Sequence, residues 1–255
     1  MPRQLTLVAL YGEKRSPAFV ELVGTCQRIA AGVLGEAFTP YAMEQVHATI
    51  VGLERHAVGA IGNAAFAQLR GRDEPMDIAG FVRHLRASAH LPMRIQLGGF
   101  REGELPHLSR GPSPYEGSVA VRGETAVLVG WPVPRQKPAR ATQEVSGVRP
   151  LDSIRREAQR FGILHRYHPT PASTDDDFFF RIGLVASGAP EARMALAERR
   201  IRAAMSEQAP VTFSVGLHDL SLVAYTDTTL PPGSTESWPL TDPGLDAAFL
   251  AGLYA

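Results

Sequence analysis

The eight residues VHATIVGL at positions 46–53 are the most constraining stretch of this chain. The run is apolar apart from His47 and Thr49, which are two residues apart. Side chains of a β-strand alternate between its faces, so these two lie on one face, about 7 Å apart along the strand. Val46, Ala48 and Ile50 then point into a core. The pattern predicts a half-buried strand that presents an imidazole and a hydroxyl to the same space.

Length and composition indicate a globular protein of one large domain or two lobes. Of the 255 residues, 44% are hydrophobic and 20% are charged. Lys and Arg together number 26, as do Asp and Glu, so no overall field draws the molecule to nucleic acid or to an anionic membrane. A local basic cleft stays possible. Cys26 is the only cysteine, which excludes an intramolecular disulfide, and its place on an apolar helical stripe favours a buried thiol.

The sequence pattern favours a cytoplasmic protein without membrane contact. The apolar run at residues 5–10 is too short for a secretory signal, and we identify no segment of the length of a membrane span. The oligomeric state does not follow from the sequence.

Hydrophobic period and capping residues predict an α+β fold. Strands are expected at residues 5–11, 46–53, 93–100, 178–185, 211–215 and 220–225, with a hairpin at 118–131. Helices are expected from Ser16 to Gly35, from Asp77, over 151–161 and from Pro190, before a short apolar tail at 245–253. Strands do not alternate strictly with helices, which argues against a doubly wound parallel sheet. Two halves of similar make-up indicate two lobes facing a cleft.

A proline-rich segment at residues 132–150 holds four prolines with basic and small residues. Such composition is typical of an exposed connection or flap. We therefore expect a single two-lobed domain over residues 1–255, with this connection inside it.

In the order of its motifs the chain resembles the 2H phosphoesterase superfamily, the LigT-like cyclic phosphodiesterases of RNA. The resemblance rests on the strand at 5–11, HATIVGL from His47, MRIQLGGF at 93–100 and LSLVAYTDTTLP at 220–231. It implies two pseudo-symmetric lobes of antiparallel sheet, with flanking helices, around a central cleft. It also implies two H-x-[ST] motifs whose histidines act as acid and base while the hydroxyls hold phosphate oxygens, with no metal or cofactor. His47 and Thr49 would form the first motif.

The second motif departs from that pattern. Aligning the apolar frame of residues 178–185 puts Arg181 at the histidine position and Gly183 at the hydroxyl position. Arginine does not shuttle protons near neutral pH, but it can bind a phosphate through two N–H groups. A solvated arginine on an exposed strand face is the alternative interpretation.

His168 and Thr170 spell H-x-T a little upstream and form a second candidate substrate contact. Pro169 between them disfavours a central strand, so a loop is expected there. A more remote hypothesis uses His165 and His168 with the aspartates at 175–177 as metal ligands, although a solvated polar run explains the same residues.

The leading hypothesis is a protein that opens a cyclic phosphodiester, most plausibly 2′,3′-cyclic, on a nucleotide or RNA end, with His47 and Thr49 at the phosphate. Loss of one of two acid–base groups costs roughly 10² to 10⁴ in rate, so slow or altered chemistry and full activity are both left open. The alternative is a non-catalytic module that binds nucleotides or RNA ends, which Arg181 favours. Of the two hypotheses, the enzyme is the favoured one.

Overall fold

The computed structural model describes residues 3–12, 15–56, 62–103, 109–134 and 149–253 and shows an α+β fold. Its strands are β1 (Gln4–Ala9), β2 (Phe38–Pro40), β3 (Ala48–Gly52), β4 (Met93–Leu97), β5 (Val119–Arg122), β6 (Thr125–Pro132), β7 (Phe178–Val185), β8 (Val211–Val215), β9 (Leu220–Tyr225) and β10 (Glu236–Pro239). Its helices are α1 (Pro17–Leu34), α2 (Ala64–Arg70), α3 (Ile78–Arg86), α4 (Pro114–Gly117), α5 (Pro150–Glu157), α6 (Glu191–Glu207) and α7 (Ala247–Gly252).

All strands belong to one antiparallel sheet that divides naturally into two halves. The order is β10-β9-β1-β3-β7-β6-β4-β8, with β2 also beside β7 and β5 beside β6. We call the β10-β9-β1-β3 half the first lobe and the half from β7 to β8, with β2 and β5, the second lobe. Strands β3 and β7 join the two lobes through one residue pair, Ala48 with Phe180. The predicted α+β fold with two antiparallel lobes is confirmed.

The helices cover the buried face of each lobe. Helix α1 packs against α6, β2, β7 and β8 in the second lobe, whereas α5 contacts β3 and α3 contacts α7 in the first. Apolar side chains of both lobes merge into one hydrophobic cluster. Burial of that cluster is the main force that stabilises the fold.

Local sequence signals set the helix ends as predicted. The Ser16 side chain accepts a hydrogen bond from the Phe19 N–H at the start of α1, and Pro17 occupies the first turn. Gly35, at φ 60°, ends the same helix. Helix α5 continues as a 3-10 turn, Ala158–Phe161, until Gly162 stops it in a left-handed conformation. Cys26 lies fully buried on the apolar face of α1, as expected.

Five short strands or α-helices were not predicted: β2, β10, α2, α4 and α7, the last of which forms within the expected apolar tail. Each has seven residues or fewer, and both strands end in proline, which hides the usual strand signal. Most of the predicted proline-rich connection, residues 135–148, lies outside the described residues. Its role stays a prediction.

Helix α1 contradicts the expectation that no segment has the length of a membrane span. The segment Pro17–Ala37 is long and apolar enough to cross a bilayer by length and composition, at a mean hydropathy of 1.2. Core helices pass the same test, and α1 buries Phe19, Leu22 and Val23 against the sheet and α6. A core helix accounts for its composition.

One fully buried arginine ties β3 to the loop that enters β7. Arg155 on α5 donates through Nε to the Ile50 carbonyl (2.8 Å) and through Nη2 to the Thr49 carbonyl (3.1 Å). Its Nη1 donates to the carbonyls of Asp175 (2.9 Å) and Asp177 (3.2 Å) and lies 3.3 Å from Asp175 Oδ2. The guanidinium therefore links both central strands of the sheet.

We predict that Arg155→Met lowers the free energy of unfolding by about 3–5 kcal/mol. The substitution leaves a buried carboxylate and several buried carbonyls without their donor, and removing one partner of a buried ion pair has effects of that size. Urea unfolding followed by circular dichroism measures the change. Arg200→Met, at an exposed position of α6, is the control and should change stability by less than about 0.5 kcal/mol. Equal stability of the two variants would contradict a stabilising role of the buried Arg155 hydrogen bonds.

Candidate active site

A cavity of 620 Å³ opens on the face of the sheet opposite the main core, where the two lobes meet. Strands β1, β3, β5, β6, β7 and β9 contribute side chains to it, together with the loop at residues 164–167. The lining includes Thr6, His47, Thr49, Glu54, Arg110, Arg122, Val127, His165, Arg166, Tyr167, Phe179, Arg181 and Tyr225. The volume suits a ligand of nucleotide size.

His47 and Thr49 both line this cavity, while Ala48 between them is buried in the core. This is the alternation predicted from the sequence. Opposite them, Phe179 and Arg181 line the cavity from β7, and Phe180 is buried. Because Ala48 pairs with Phe180 and the strands run antiparallel, His47 lies beside Arg181 and Thr49 beside Phe179.

This pairing corrects the predicted register of the second motif. The tripeptides 47–49 and 179–181 are related by a local twofold axis at the pair of Ala48 and Phe180. Phe179 therefore matches the histidine position and Arg181 the hydroxyl position, two residues earlier than the sequence alignment proposed. Gly183 faces the core instead, since a Cβ atom there would lie 2.5 Å from the Phe38 ring. A register shift between β6 and β7 next to Arg181 produces this change of face.

The imidazole of His47 is oriented by a hydrogen bond and is largely shielded from water. Its Nδ1 lies 2.5 Å from the Gln45 carbonyl, which fixes Nδ1–H as the donor and leaves the Nε2 lone pair free for a ligand. The Tyr11 ring packs edge-on at 5.9 Å between centroids. Burial, together with the smaller effects of the Arg181 and Arg15 charges, lowers the pKa of His47 to about 4, against the raising effect of the Gln45 hydrogen bond. His47 is therefore neutral at pH 7.

Positive charge dominates the rest of the wall. Arg110, Arg122, Arg166 and Arg181 line the cavity together with the buried Arg155, and Glu54 is the single carboxylate among the described lining residues. Burial raises the pKa of Glu54, whose Oε1 accepts a hydrogen bond from the Tyr225 hydroxyl at 2.8 Å. A cavity so rich in guanidinium groups attracts anions, although the net charge of the chain is zero.

An aromatic surface lies next to the arginines. The Arg110 guanidinium lies 3.7 Å from the centre of the Tyr167 ring, and Tyr167 packs against Phe179 at 5.8 Å between centroids. Planar ligands stack on surfaces of this kind. Neither Arg110, Arg166 nor Tyr167 was singled out from the sequence, since loop positions carry no periodic signal.

His168 and Thr170 do not reach the cavity, which corrects the prediction that they contact substrate. The His168 imidazole is buried with its Nε2 2.9 Å from Asp152 Oδ1. Hydrogen bonds from His168 and Arg156 hold the pKa of Asp152 low, although burial acts to raise it. The Thr170 hydroxyl is exposed and pairs with Ser173 at 2.9 Å. Pro169 lies in a bend of the loop, in accordance with the expected loop.

His165 and His168, the ligands of the hypothetical metal site, bond to separate aspartates. His165 Nε2 lies 2.7 Å from Asp175 Oδ2, whereas His168 bonds a different aspartate, Asp152. Within the described part of the chain, no three His, Cys, Asp or Glu side chains converge as metal ligands. The two histidines instead belong to a buried network of ion pairs around Arg155.

Comparisons with known proteins find structural similarity only. No family model and no curated protein matches the chain. It is similar to TT0787 of Thermus thermophilus (12% identity, 92% of this chain and 93% of that one, TM-score 0.38). It is also similar to Kluyveromyces marxianus Usb1 with uridine monophosphate (13% identity, 93% of this chain and 98% of that one, TM-score 0.40). A further similar structure is E. coli LigT complexed with ATP (15% identity, 94% of this chain and 95% of that one, TM-score 0.34). With TM-scores below 0.5, similarity at this level establishes neither a family nor a function.

We predict that His47 titrates at about pH 4, as measured by NMR of its imidazole signals. Arg181→Gln should raise this pKa, because a neighbouring positive charge disfavours the imidazolium. The value should stay below 6.5, since burial is the larger cause. Arg122→Gln is the matched control, with no expected change. A pKa near 6.5 in the unchanged protein would mean that water reaches the imidazole freely.

Proposed function

We propose that this protein belongs to the 2H phosphoesterase superfamily and binds a phosphorylated nucleotide or RNA end in the cavity. The reaction proposed is hydrolysis of a 2′,3′-cyclic phosphodiester by metal-independent histidine chemistry. The observation that carries the proposal is the pair His47, immediately before β3, and Arg181 on β7, side by side in one cationic cavity. A base and a phosphate-binding cation at one place are what such a reaction requires.

The charges of the cavity support a phosphate ligand. Arg181 donates to the Thr228 carbonyl at 3.3 Å, which orients its guanidinium while leaving other N–H groups for a ligand. Thr49 offers a hydroxyl on the same wall, and Arg122 approaches from β5. Together these groups would hold the phosphate oxygens and stabilise the charge that develops on them.

The neutral imidazole of His47 suits the role of general base. Its Nε2 would take a proton from the attacking water while the water oxygen forms a bond to phosphorus. The bond from phosphorus to one ribose oxygen then breaks, and that oxygen takes a proton from solvent. The imidazolium finally returns its proton to solvent, so that one water molecule is added across one P–O bond.

The missing second histidine predicts slow turnover. Phe179 occupies the position from which a family histidine would protonate the leaving oxygen, and a phenyl ring carries no proton to donate. Loss of a general acid costs roughly 10² to 10⁴ in rate. The same observation favours the alternative function, a module that binds nucleotides or RNA ends without turning them over.

We predict that His47→Ala reduces hydrolysis of adenosine 2′,3′-cyclic phosphate by about 10²-fold or more, because the proton acceptor is removed. Product formation without added metal is measured by chromatography, for the variant beside the unchanged protein. The control is His218→Ala, a histidine whose side chain is 75% exposed and lies outside the cavity lining. Full activity of His47→Ala contradicts the assigned role. Tight binding of the nucleotide without hydrolysis by any of the proteins supports the binding module.

A second prediction concerns Phe179, which occupies the position of the missing histidine. Phe179→His should raise the rate of the same hydrolysis about tenfold or more, because a second imidazole would stand across the cavity from the first. Phe179→Leu is the matched control, since it removes the ring without adding a proton donor. Rates are compared from pH 5 to 8. Equal rates for the two variants would show that position 179 does not face the leaving oxygen.

A further inference from the structure

Glu54 is the single carboxylate among the described lining residues of the cavity, and the chemistry above does not use it. It follows Gly52, the last residue of β3, and its half-buried side chain turns back over that glycine. A Cβ atom at Gly52 would collide with Glu54 Oε2, so the glycine leaves the space in which the carboxylate lies. Because Gly52 itself lines the cavity, the carboxylate lies on the cavity face of the sheet.

The Glu54 carboxylate has acceptor capacity left for a ligand. Its two oxygens offer about four lone-pair sites when the group is ionised. The Tyr225 hydroxyl donates to Oε1 at 2.8 Å, and the backbone N–H of Glu54 also bonds the carboxylate. Burial raises the pKa of Glu54, while these hydrogen bonds and the charge of Arg166 favour the ionised form. Two of the four sites therefore stay open to donors of a ligand.

The carboxylate lies about one nucleotide length from the proposed phosphate site. His47 and Arg181 meet at the start of β3, whereas Gly52 ends that strand, about 13 Å further along it. A nucleoside monophosphate, hydrogen-bonded through the far edge of its base, spans a distance of this order. The packed rings of Tyr167 and Phe179 line the cavity and offer the base a surface on which to stack. With the phosphate beside Arg181, the far edge of the base would therefore reach the carboxylate.

The common nucleobases differ in what they present to a carboxylate at that edge. Guanine has two adjacent donors, N1–H and the N2 amino group, and its O6 acceptor lies beside them. Adenine and cytosine each place an amino donor next to a ring nitrogen acceptor, and uracil has one N–H between two carbonyls. An acceptor that faces a carboxylate is left unpaired, which is unfavourable in a desolvated site. Guanine therefore matches two open acceptor sites best.

We propose that Glu54 accepts hydrogen bonds from N1–H and the N2 amino group of a guanine base, so that the cavity selects guanine nucleotides. The O6 atom of that base would then face the arginine donors of the wall, Arg166 among them, and arginine is a common partner of guanine O6. This inference rests on the proposed function and goes beyond it, because it names the base attached to the bound phosphate.

The experiment measures binding of the 3′-monophosphates of guanosine, inosine and adenosine by isothermal titration calorimetry. A buffer at about pH 8 favours the carboxylate over the acid. Inosine has O6 and N1–H but lacks the amino group, and adenosine lacks both O6 and N1–H. Glu54→Gln puts an amide N–H₂ group in place of one oxygen, and Glu54→Ala removes both oxygens. Glu207→Gln, at an exposed position of α6, is the matched control, and thermal unfolding verifies that each variant is folded.

We expect the unchanged protein to bind the guanosine nucleotide about 10- to 100-fold more tightly than the adenosine nucleotide, the range for a bidentate base contact, with inosine between them. Both Glu54 variants should lose most of this preference, and Glu207→Gln should retain it.

Three outcomes overturn the inference while leaving the proposed function intact. They are equal binding of guanosine and adenosine nucleotides to the unchanged protein, equal binding of guanosine and inosine nucleotides, and a retained guanine preference in folded Glu54 variants. In each case the nucleotide still binds, so the phosphate site stands without the assigned base contact. No binding of any nucleotide to the unchanged protein overturns both the inference and the proposed function.

Discussion

The buried guanidinium of Arg155 is the interaction on which the geometry of the cavity depends. It bonds the carbonyls of Thr49 and Ile50 on β3 and those of Asp175 and Asp177 before β7. The two strands share only one residue pair of their own, so these bonds set how His47 and Arg181 face each other. Burial lowers the pKa of Arg155, and the aspartates around it counter that effect, so the charge persists where water is excluded.

Much of the fold could be predicted from local signals. Ser16, Pro17 and Gly35 bound α1, and alternation placed His47 and Thr49 on one face, because strand period and capping are properties of neighbouring residues. The second motif could not be placed to the residue. In FFFRIGLV nearly every side chain is apolar, so the period of two gives no register, and the irregular pairing with β6 was invisible.

The cationic wall could not be predicted for a different reason. Its arginines come from a loop after residue 109, from β5, from α5, from the loop at 164–167 and from β7, far apart in the chain. No spacing in the sequence relates them, and the net charge of zero conceals them. Their convergence follows from strand order, which depends on non-local pairing. The buried partners of His165 and His168 are likewise a product of the tertiary fold.

Charge in the cavity couples phosphate binding to the protonation of His47. In the empty cavity, burial and the arginines hold its pKa at about 4. A bound phosphate brings negative charge next to Arg181, offsets the repulsion felt by an imidazolium, and so raises that pKa. By linkage, protonated His47 then binds phosphate more tightly than neutral His47 does. In the proposed reaction the ligand itself would thus make His47 a stronger base at the moment when a proton must leave the attacking water.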